Sequence, residues 1–509
     1  MKNIIRNIFV GGMTAVILLS CDMNLVPTTA IVYDENEPLL ISENDVASFQ
    51  SGVLASYRSV QYGTYSYTSE LMCDGFNAVL GYGNNYGIIH KTDDTFTPSN
   101  QEVEAVWANH YSVIKNYNIA IEGADNVTEE LKESASILKG IALFCRASSY
   151  LHLARHWGPA YNPATADTDL CVPLILVYDQ LEKPERATVK DVYDQILLDL
   201  EEAEGLLADI PGKVRSQIPT VDAVYALKAR YYLDVQDYDN AAEYALNVID
   251  SEAGYGLANT AEKMLAEYTN ELGTEPVIQL YASKTEGLKG NTYYTLVSKN
   301  EDTKYFSPYY LPTKALVSAY GNDDLRLASW FCLTDDTYTT EAVPPYPLRV
   351  EGSFYGGIYV FQKYRGNPNL YDGEVENGAH SAKPIMLGEM YLIAAEAYSH
   401  TDEAKAKAIL NELQKARKAN LTDGSLASVK KEWFRETVGE GLRLSCIKRW
   451  GDGLEARVEQ DGAENLVMQG VGFTERTLAA GSHVFNWPIP TYEIQITPSL
   501  VQNDGYVSE

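Results

Sequence analysis

Residues 221–251 read VDAVYALKARYYLDVQDYDNAAEYALNVIDS. Apolar and small side chains return every three or four positions, lapse briefly, then resume, which is the rhythm of a helix, a turn and a second helix. Tyr225, Ala229, Tyr232, Tyr238, Ala241 and Val248 alternate bulky with small, as two helices require where they touch. The spacing is that of a tetratricopeptide repeat. Lys228 and Ala245 stand where that repeat prefers Leu and an aromatic, so the match is partial. A second pair spans 385–417, with Tyr391, Ala395 and Tyr398 before a short turn and then Ala404 to Arg417. Such pairs cannot bury their faces alone and must stack.

The rest of the chain extends this reading. Ile137, Ile141, Phe144, Ser148 and Leu151 mark one helical face that stops near Gly158-Pro159. Val189, Val192, Ile196, Leu200, Ala203 and Leu207 mark another, ended by Pro211-Gly212. Trp107, Tyr111, Ile114, Asn118 and Ile121 keep the same rhythm within 104–127. Between about 255 and 384 the rhythm fades while Gly, Pro, Asn and Tyr accumulate. Short β-prone runs such as Ser353 to Val360 predict a hairpin or two there. The expected fold is mainly α, with stacked tetratricopeptide-like helical pairs and a loop-rich insertion containing short β hairpins. One domain over 46–509 is expected, with a helical core at about 46–254 and 385–450, the insertion between, and an irregular segment at 451–509.

Composition narrows the function. Of 509 residues 45% are apolar and 22% charged, which excludes a disordered or fibrous chain. Forty Lys and Arg against 70 Asp and Glu leave a net charge of -30, unsuited to a phosphate backbone, so no nucleic-acid partner is expected. Tyr is abundant, 37 against 12 Phe and 6 Trp, and its apolar face with a polar tip suits half-wet surfaces. Lys2 and Arg6 precede an apolar run from Ile8 to Leu19, which as a helix rises about 18 Å and falls short of a bilayer core of about 30 Å. Residues 1–20 therefore read as a signal peptide. Leu18-Leu19-Ser20-Cys21 resembles a bacterial lipobox, making Cys21 the lipid attachment site and 21–45 a lipidated tether. Cys73, Cys145, Cys171, Cys332 and Cys446 show no C-x-x-C spacing and read as buried thiols.

The C-terminal third carries a family resemblance. Residues 432–450 read EWFRETVGEGLRLSCIKRW and 485–506 read FNWPIPTYEIQITPSLVQNDGY, behind MYLIAAEA at 390–397 and ILNELQKAR at 409–417. Together they resemble the SusD/RagB family of lipid-anchored nutrient-uptake proteins. The usual E-R-x-R-E-x-x-x-E-G-x-R segment is met by Glu432, Arg435, Glu436, Glu440, Gly441 and Arg443. The P-I-P-x-x-E-I and Q-N-x-G-Y endings are met by Pro488 to Pro490, Glu493-Ile494, Gln502-Asn503 and Gly505-Tyr506. Trp433, Cys446, Thr497 and Asp504 depart from the usual Arg, Asp, Asn and Pro. The resemblance implies a cell-surface lipoprotein of the outer membrane, facing the exterior. It would capture oligosaccharides and pass them to a SusC-like TonB-dependent transporter. Peptides or proteins are the alternative ligands.

Read physically, the E-x-x-x-E-x-x-R segment is structural: on one helix Glu436, Glu440 and Arg443 would share a face and form a mutually satisfied network. His152 and His156 are four apart, but position 153 is Leu and the general-base Glu of H-E-x-x-H is missing, so packed histidines are expected and no metal. No G-x-S-x-G elbow, P-loop or dinucleotide fingerprint appears, and neither enzymatic activity nor a cofactor is expected. The ligand candidates are two aromatic clusters: Tyr82, Asn84, Asn85 and Tyr86, and Tyr305, Tyr309 and Tyr310. Aromatic faces cover the C–H face of a sugar ring while amides bond its hydroxyl rim.

Overall fold

The computed structural model describes residues 38–507 apart from 178, 180–182, 287, 290–296, 300–302, 337–344, 372 and 374. The export segment, Cys21 and the tether up to residue 37 lie outside the described residues. Leu40 is buried and a helix starts at Glu43, both within the stretch read as tether.

The helices used below are α1 (Glu43–Ser59), α2 (Thr64–Met72), α3 (Gln101–Asp125), α4 (Lys132–Trp157), α5 (Val189–Leu206), α6 (Val221–Asp234), α7 (Tyr238–Ile249), α8 (Ala261–Thr269), α9 (Leu387–Thr401), α10 (Glu403–Ala416), α11 (Leu426–Glu436) and α12 (Arg443–Trp450). Helices α3 to α7 pack in succession, each on the one before. The whole stripe from Val189 to Leu207 is buried, and each large aliphatic there contributes about 1.5–3 kcal/mol. Capping fixes the starts: Asn100 accepts the Val103 N–H at α3, Thr188 and Asp191 form a capping box at α5, and Asp237 caps α7. α4 runs through the middle, and its buried Arg146 is held by Asp199 of α5 at 2.7 Å and Asn118 of α3 at 2.9 Å.

The second predicted pair, α9 and α10, stacks directly on the first, α9 lying against α7. Arg230 of α6 pairs with Glu389 of α9, and Tyr238 of α7 stacks on His400 of α9 at 4.1 Å. Lys228, the departure from the repeat, is 3% exposed. Its stem fills the Leu position while its ammonium reaches Glu204 and the Tyr244 hydroxyl, 2.5 and 2.9 Å away.

The insertion folds as short strands. Phe76–Ala78 pairs antiparallel with Tyr310–Pro312, placing Ala78 opposite Tyr310. Phe331–Leu333 pairs with Tyr359–Phe361. A four-stranded sheet runs Val297–Lys299, Lys304–Phe306, Leu348–Val350, Ser353–Tyr355, its central pair parallel. The Ser353–Val360 run thus divides between two sheets, closing one hairpin and then entering the other pairing. Tyr310, Phe76, Phe331, Phe361 and Tyr364 form an aromatic core beneath these strands. Cys73, Cys145, Cys171, Cys332 and Cys446 are free and buried, as expected.

Candidate ligand-binding surface

Pairing of Ala78 with Tyr310 brings the two predicted clusters together. The chain leaves the strand at Ala78 and turns sharply, with Gly81, Gly83, Asn84 and Tyr86 at φ of +72°, +66°, +58° and +54°. Tyr is rare in this left-handed region, so the fold around it must hold it there. Two bonds do so: Tyr310 Oη donates to the Asn85 carbonyl at 2.5 Å, and Tyr86 Oη meets Thr64 Oγ1 at 2.9 Å. Asn85 Nδ2 donates back to the Tyr82 carbonyl at 2.7 Å. A Cβ on Gly87 would lie 2.6 Å from the Tyr82 ring, so only glycine lets that ring lie over the turn.

Tyr82, Tyr86 and Tyr309 are half-buried and pack on the aromatic core with one face partly open. Asn84 is exposed at the turn's tip. A third segment, not predicted, completes the surface: the Met468 N–H donates to the Ala78 carbonyl at 2.8 Å, and Phe473 lies 6.1 Å from Tyr82. Met468 and Phe473 are half-buried, and Val471 between them is 76% exposed. The result is a group of half-buried aromatic side chains with the Asn84 amide exposed beside them.

Two predicted residues do not offer a face. Tyr310 is fully buried, so its ring cannot stack on a ligand; it braces the turn from below. Tyr305 is 8% exposed and lies on the four-stranded sheet, where its hydroxyl takes a hydrogen bond from Arg349 at 2.9 Å and its ring meets Phe354 at 5.7 Å.

The charged motif is buried, but not on one helix. α11 ends at Glu436, Gly439 and Gly441 take φ of +79° and +74°, and Arg443 opens α12. The shared helical face is therefore corrected. Each residue has a partner elsewhere: Glu436 takes Arg417 and Arg326 at 2.5 and 2.7 Å, Glu440 takes Lys363 at 2.6 Å, and Arg443 takes Asp74 at 2.8 Å. Burial would raise Glu436, yet Arg417 and Arg326 hold it down to about 2. Glu70 accepts the Gly439 and Gly441 N–H groups at 3.1 and 3.2 Å, and burial pushes its carboxyl up to about 7.

His152 and His156 stack face to face at 4.1 Å, and His110 stacks on the far side of His152 at 4.3 Å. Burial drives His110 and His156 down to about 3, so the stack is neutral. Among the described residues no group of three His, Cys, Asp or Glu side chains is placed to hold a metal ion.

A family model described as "Starch-binding associating with outer membrane" matches residues 33–233, and one described as "SusD family" matches residues 228–506. The chain is 23% identical over 441 residues to SusD-like protein P2 of Formosa agariphila, covering 80% of this chain and 83% of that one. Its fold matches a SusD superfamily protein from Bacteroides thetaiotaomicron with a TM-score of 0.74 at 21% identity, covering 90% and 99% of the two chains. It also matches surface glycan-binding protein A from the same organism, with a TM-score of 0.70 at 18% identity, covering 91% and 99%.

Proposed function

The chain belongs to the SusD family, and from that premise we propose a surface lipoprotein that captures neutral oligosaccharides and passes them to a SusC-like TonB-dependent outer-membrane transporter. The observation that carries the reading is the aromatic surface. Tyr82, Tyr86, Tyr309 and Phe473 are half-open rings held on a rigid aromatic base, with Asn84 at their edge. Rings and amides in this proportion suit a sugar chain, whose C–H faces stack and whose hydroxyls bond. No ionisable side chain of this surface is arranged as a nucleophile with a base, so the reading is capture without chemistry. Residues 46–509 would form the binding domain, anchored through lipidated Cys21.

Titration calorimetry against neutral oligosaccharides and basic peptides tests the reading. Oligosaccharide heat with no peptide heat is expected; peptide heat alone would replace it with the peptide-binding alternative. Cys21→Ala is expected to move the protein from the membrane fraction to the soluble one, because a lipid contributes about 0.8 kcal/mol per buried CH₂. Retention in the membrane fraction at high salt would remove the anchor from the proposal. Co-purification with a TonB-dependent channel tests the partner.

A further inference from the structure

A second cavity, of 130 Å³, is lined by none of the residues of the aromatic surface. It is lined by the turn after α1, the second half of α4, Leu227 and Arg230 of α6, Tyr364, His380, Lys383 and Pro384 of the insertion and its end, and the Gly439–Leu442 loop. That space is about ten times what one ordered water needs. Half-buried Gln61, Tyr62 and Tyr65 stand on its open side.

Its walls are polar but carry no unpaired charge. Arg155 is gripped by Asp234 at 2.6 and 3.1 Å, Arg230 by Glu389, and Lys383 by Glu271 at 2.6 Å. The guanidinium groups of Arg155 and Arg230 are fixed through Nε and Nη2, which leaves each Nη1 without an acceptor among the described residues. The Tyr268 hydroxyl, on a residue 4% exposed, makes no hydrogen bond among the described residues either. These groups donate. The acceptors are histidines: Nδ1 of His156 meets the His152 carbonyl at 2.7 Å and Nδ1 of His380 meets the Gly378 carbonyl at 2.7 Å. A carbonyl can only accept, so each Nδ1 carries the proton and each Nε2 presents a lone pair. Rings of Tyr62, Tyr65 and Tyr364 supply the apolar faces.

We propose that this cavity binds one neutral monosaccharide. Fixed donors and acceptors both line it, and a hydroxyl is the group that both donates and accepts. An anion would need a cation not already neutralised by its own carboxylate, and the walls offer none. The inference stands independently of the aromatic surface.

The test titrates the full mature chain with D-glucose, D-galactose and D-xylose, and with D-glucuronate and sulfate as charged controls, reading heat and Tm. At least one neutral sugar is expected to bind and raise Tm. Tyr268→Phe removes a hydroxyl that no protein group uses, so it should leave the Tm of the free protein unchanged while weakening that sugar roughly three- to tenfold, the size of one neutral hydrogen bond. Leu151→Phe, which pushes a ring into the cavity, should abolish binding; if it fails to fold, Tyr268→Phe decides. Tyr82→Ala, which weakens oligosaccharide binding at the aromatic surface, should leave the monosaccharide heat of this cavity unchanged. Absence of binding by all three neutral sugars, binding of the anions alone, or affinity lost in Tyr82→Ala and kept in Tyr268→Phe would each overturn the proposal.

Discussion

The buried ion-pair cluster at the end of α11 and the aromatic surface around Tyr82 use their residues in opposite ways. Arg326 and Glu432 are wholly buried, and the guanidinium of Arg326 serves Asp324, Glu432 and Glu436 together. Every partner is committed and little of the cluster meets solvent. Around Tyr82 the rings are half-open, Asn84 is exposed, and the backbone sits in strained left-handed conformations held by two hydrogen bonds. The recognisable motif of the sequence thus buries Glu432 and Glu436 in committed ion pairs, while its Glu440 and Gly441 line the inner cavity. Recognition by motif found the scaffold, and the binding candidates came from residue chemistry.

The comparison breaks first if the cluster is not structural. Arg326→Ala removes a guanidinium shared by three buried carboxylates, leaving Asp324 without a cation and Glu432 and Glu436 with Arg435 and Arg417 alone, so about 3–5 kcal/mol of stability should be lost. Thermal melts give the loss, and titration of the remaining folded protein should give an unchanged oligosaccharide affinity. Lost affinity at unchanged Tm would exchange the roles of the two regions.

Two carboxylates of this scaffold should respond to pH with opposite signs. Glu436 is held at about 2, below its ordinary 4.5, so its contribution is present above pH 4.5 and fades as pH falls toward 2. Glu70 is pushed from 4.5 to about 7 by burial, against the Gly439 and Gly441 N–H groups, Arg443 and Lys363. Its stabilisation is present below pH 4.5 and is lost as pH rises through 7, about 3 kcal/mol in all. The buried neutral histidines make stability rise with pH up to about 6.5, so the Glu70 component is read by difference: Glu70→Gln should remove a component of the Tm curve that falls between pH 5 and 8. A slope unchanged in the variant would place the titration elsewhere.

Arg443 should matter less than Arg326. Its side chain is 18% exposed and it pairs with Asp74 alone, itself 15% exposed. Solvent screens such a pair, so Arg443→Ala should lose about 1–3 kcal/mol. A loss equal to that of Arg326→Ala would mean that the Gly439–Leu442 loop belongs to the same rigid unit as α11.

Legibility followed the physics that acts locally. The stripes of α4, α5 and α6 were readable because a buried helical face must repeat every three to four residues, and that repeat is written in adjacent sequence. Glu440 and Arg443 were misplaced because a charge pattern was extended across two glycines. α11 has already ended at Glu436, and a Cβ on Gly441 would lie 2.8 Å from the Ser66 backbone, a close approach that needs glycine, so G-x-G was the available signal. The union of residues 82–86 with Tyr309 and Tyr310 depends on the pairing of Ala78 with Tyr310, more than 200 residues apart. No local pattern encodes that. Phe473 is one Phe in an irregular segment and gave no signal at all. Tyr62 and Tyr65, at the open side of the inner cavity, did stand in a Tyr-rich run at 61–67 that could have been read.

The smallest expected effects lie on the aromatic surface, and they sharpen the contrast most. Tyr82, Tyr86 and Tyr309 expose part of a ring, and truncating one leaves the core beneath it filled by Tyr310 and its neighbours. Each Ala variant should therefore keep a near-parental Tm while at least one weakens oligosaccharide binding by about 1 kcal/mol, the scale of an aromatic contact. Tyr310→Phe probes the support instead: it deletes the hydroxyl that holds the Asn85 carbonyl and leaves the ring in place. Affinity should fall by a similar amount through a loosened turn, although Tyr310 never touches the sugar. Titrating at two salt concentrations separates this from charge steering. Stacking and amide bonds to a neutral sugar are insensitive to salt, whereas a basic peptide drawn to a chain of net charge -30 would weaken as exposed charges are screened beyond about 8 Å. Salt-independent affinity that falls in Tyr82→Ala or Tyr86→Ala and in Tyr310→Phe, with Tyr305→Ala unaffected, would place the ligand on this surface. Full affinity in every one of those variants would remove the ligand from it, and leave the half-open rings as packing for the turn.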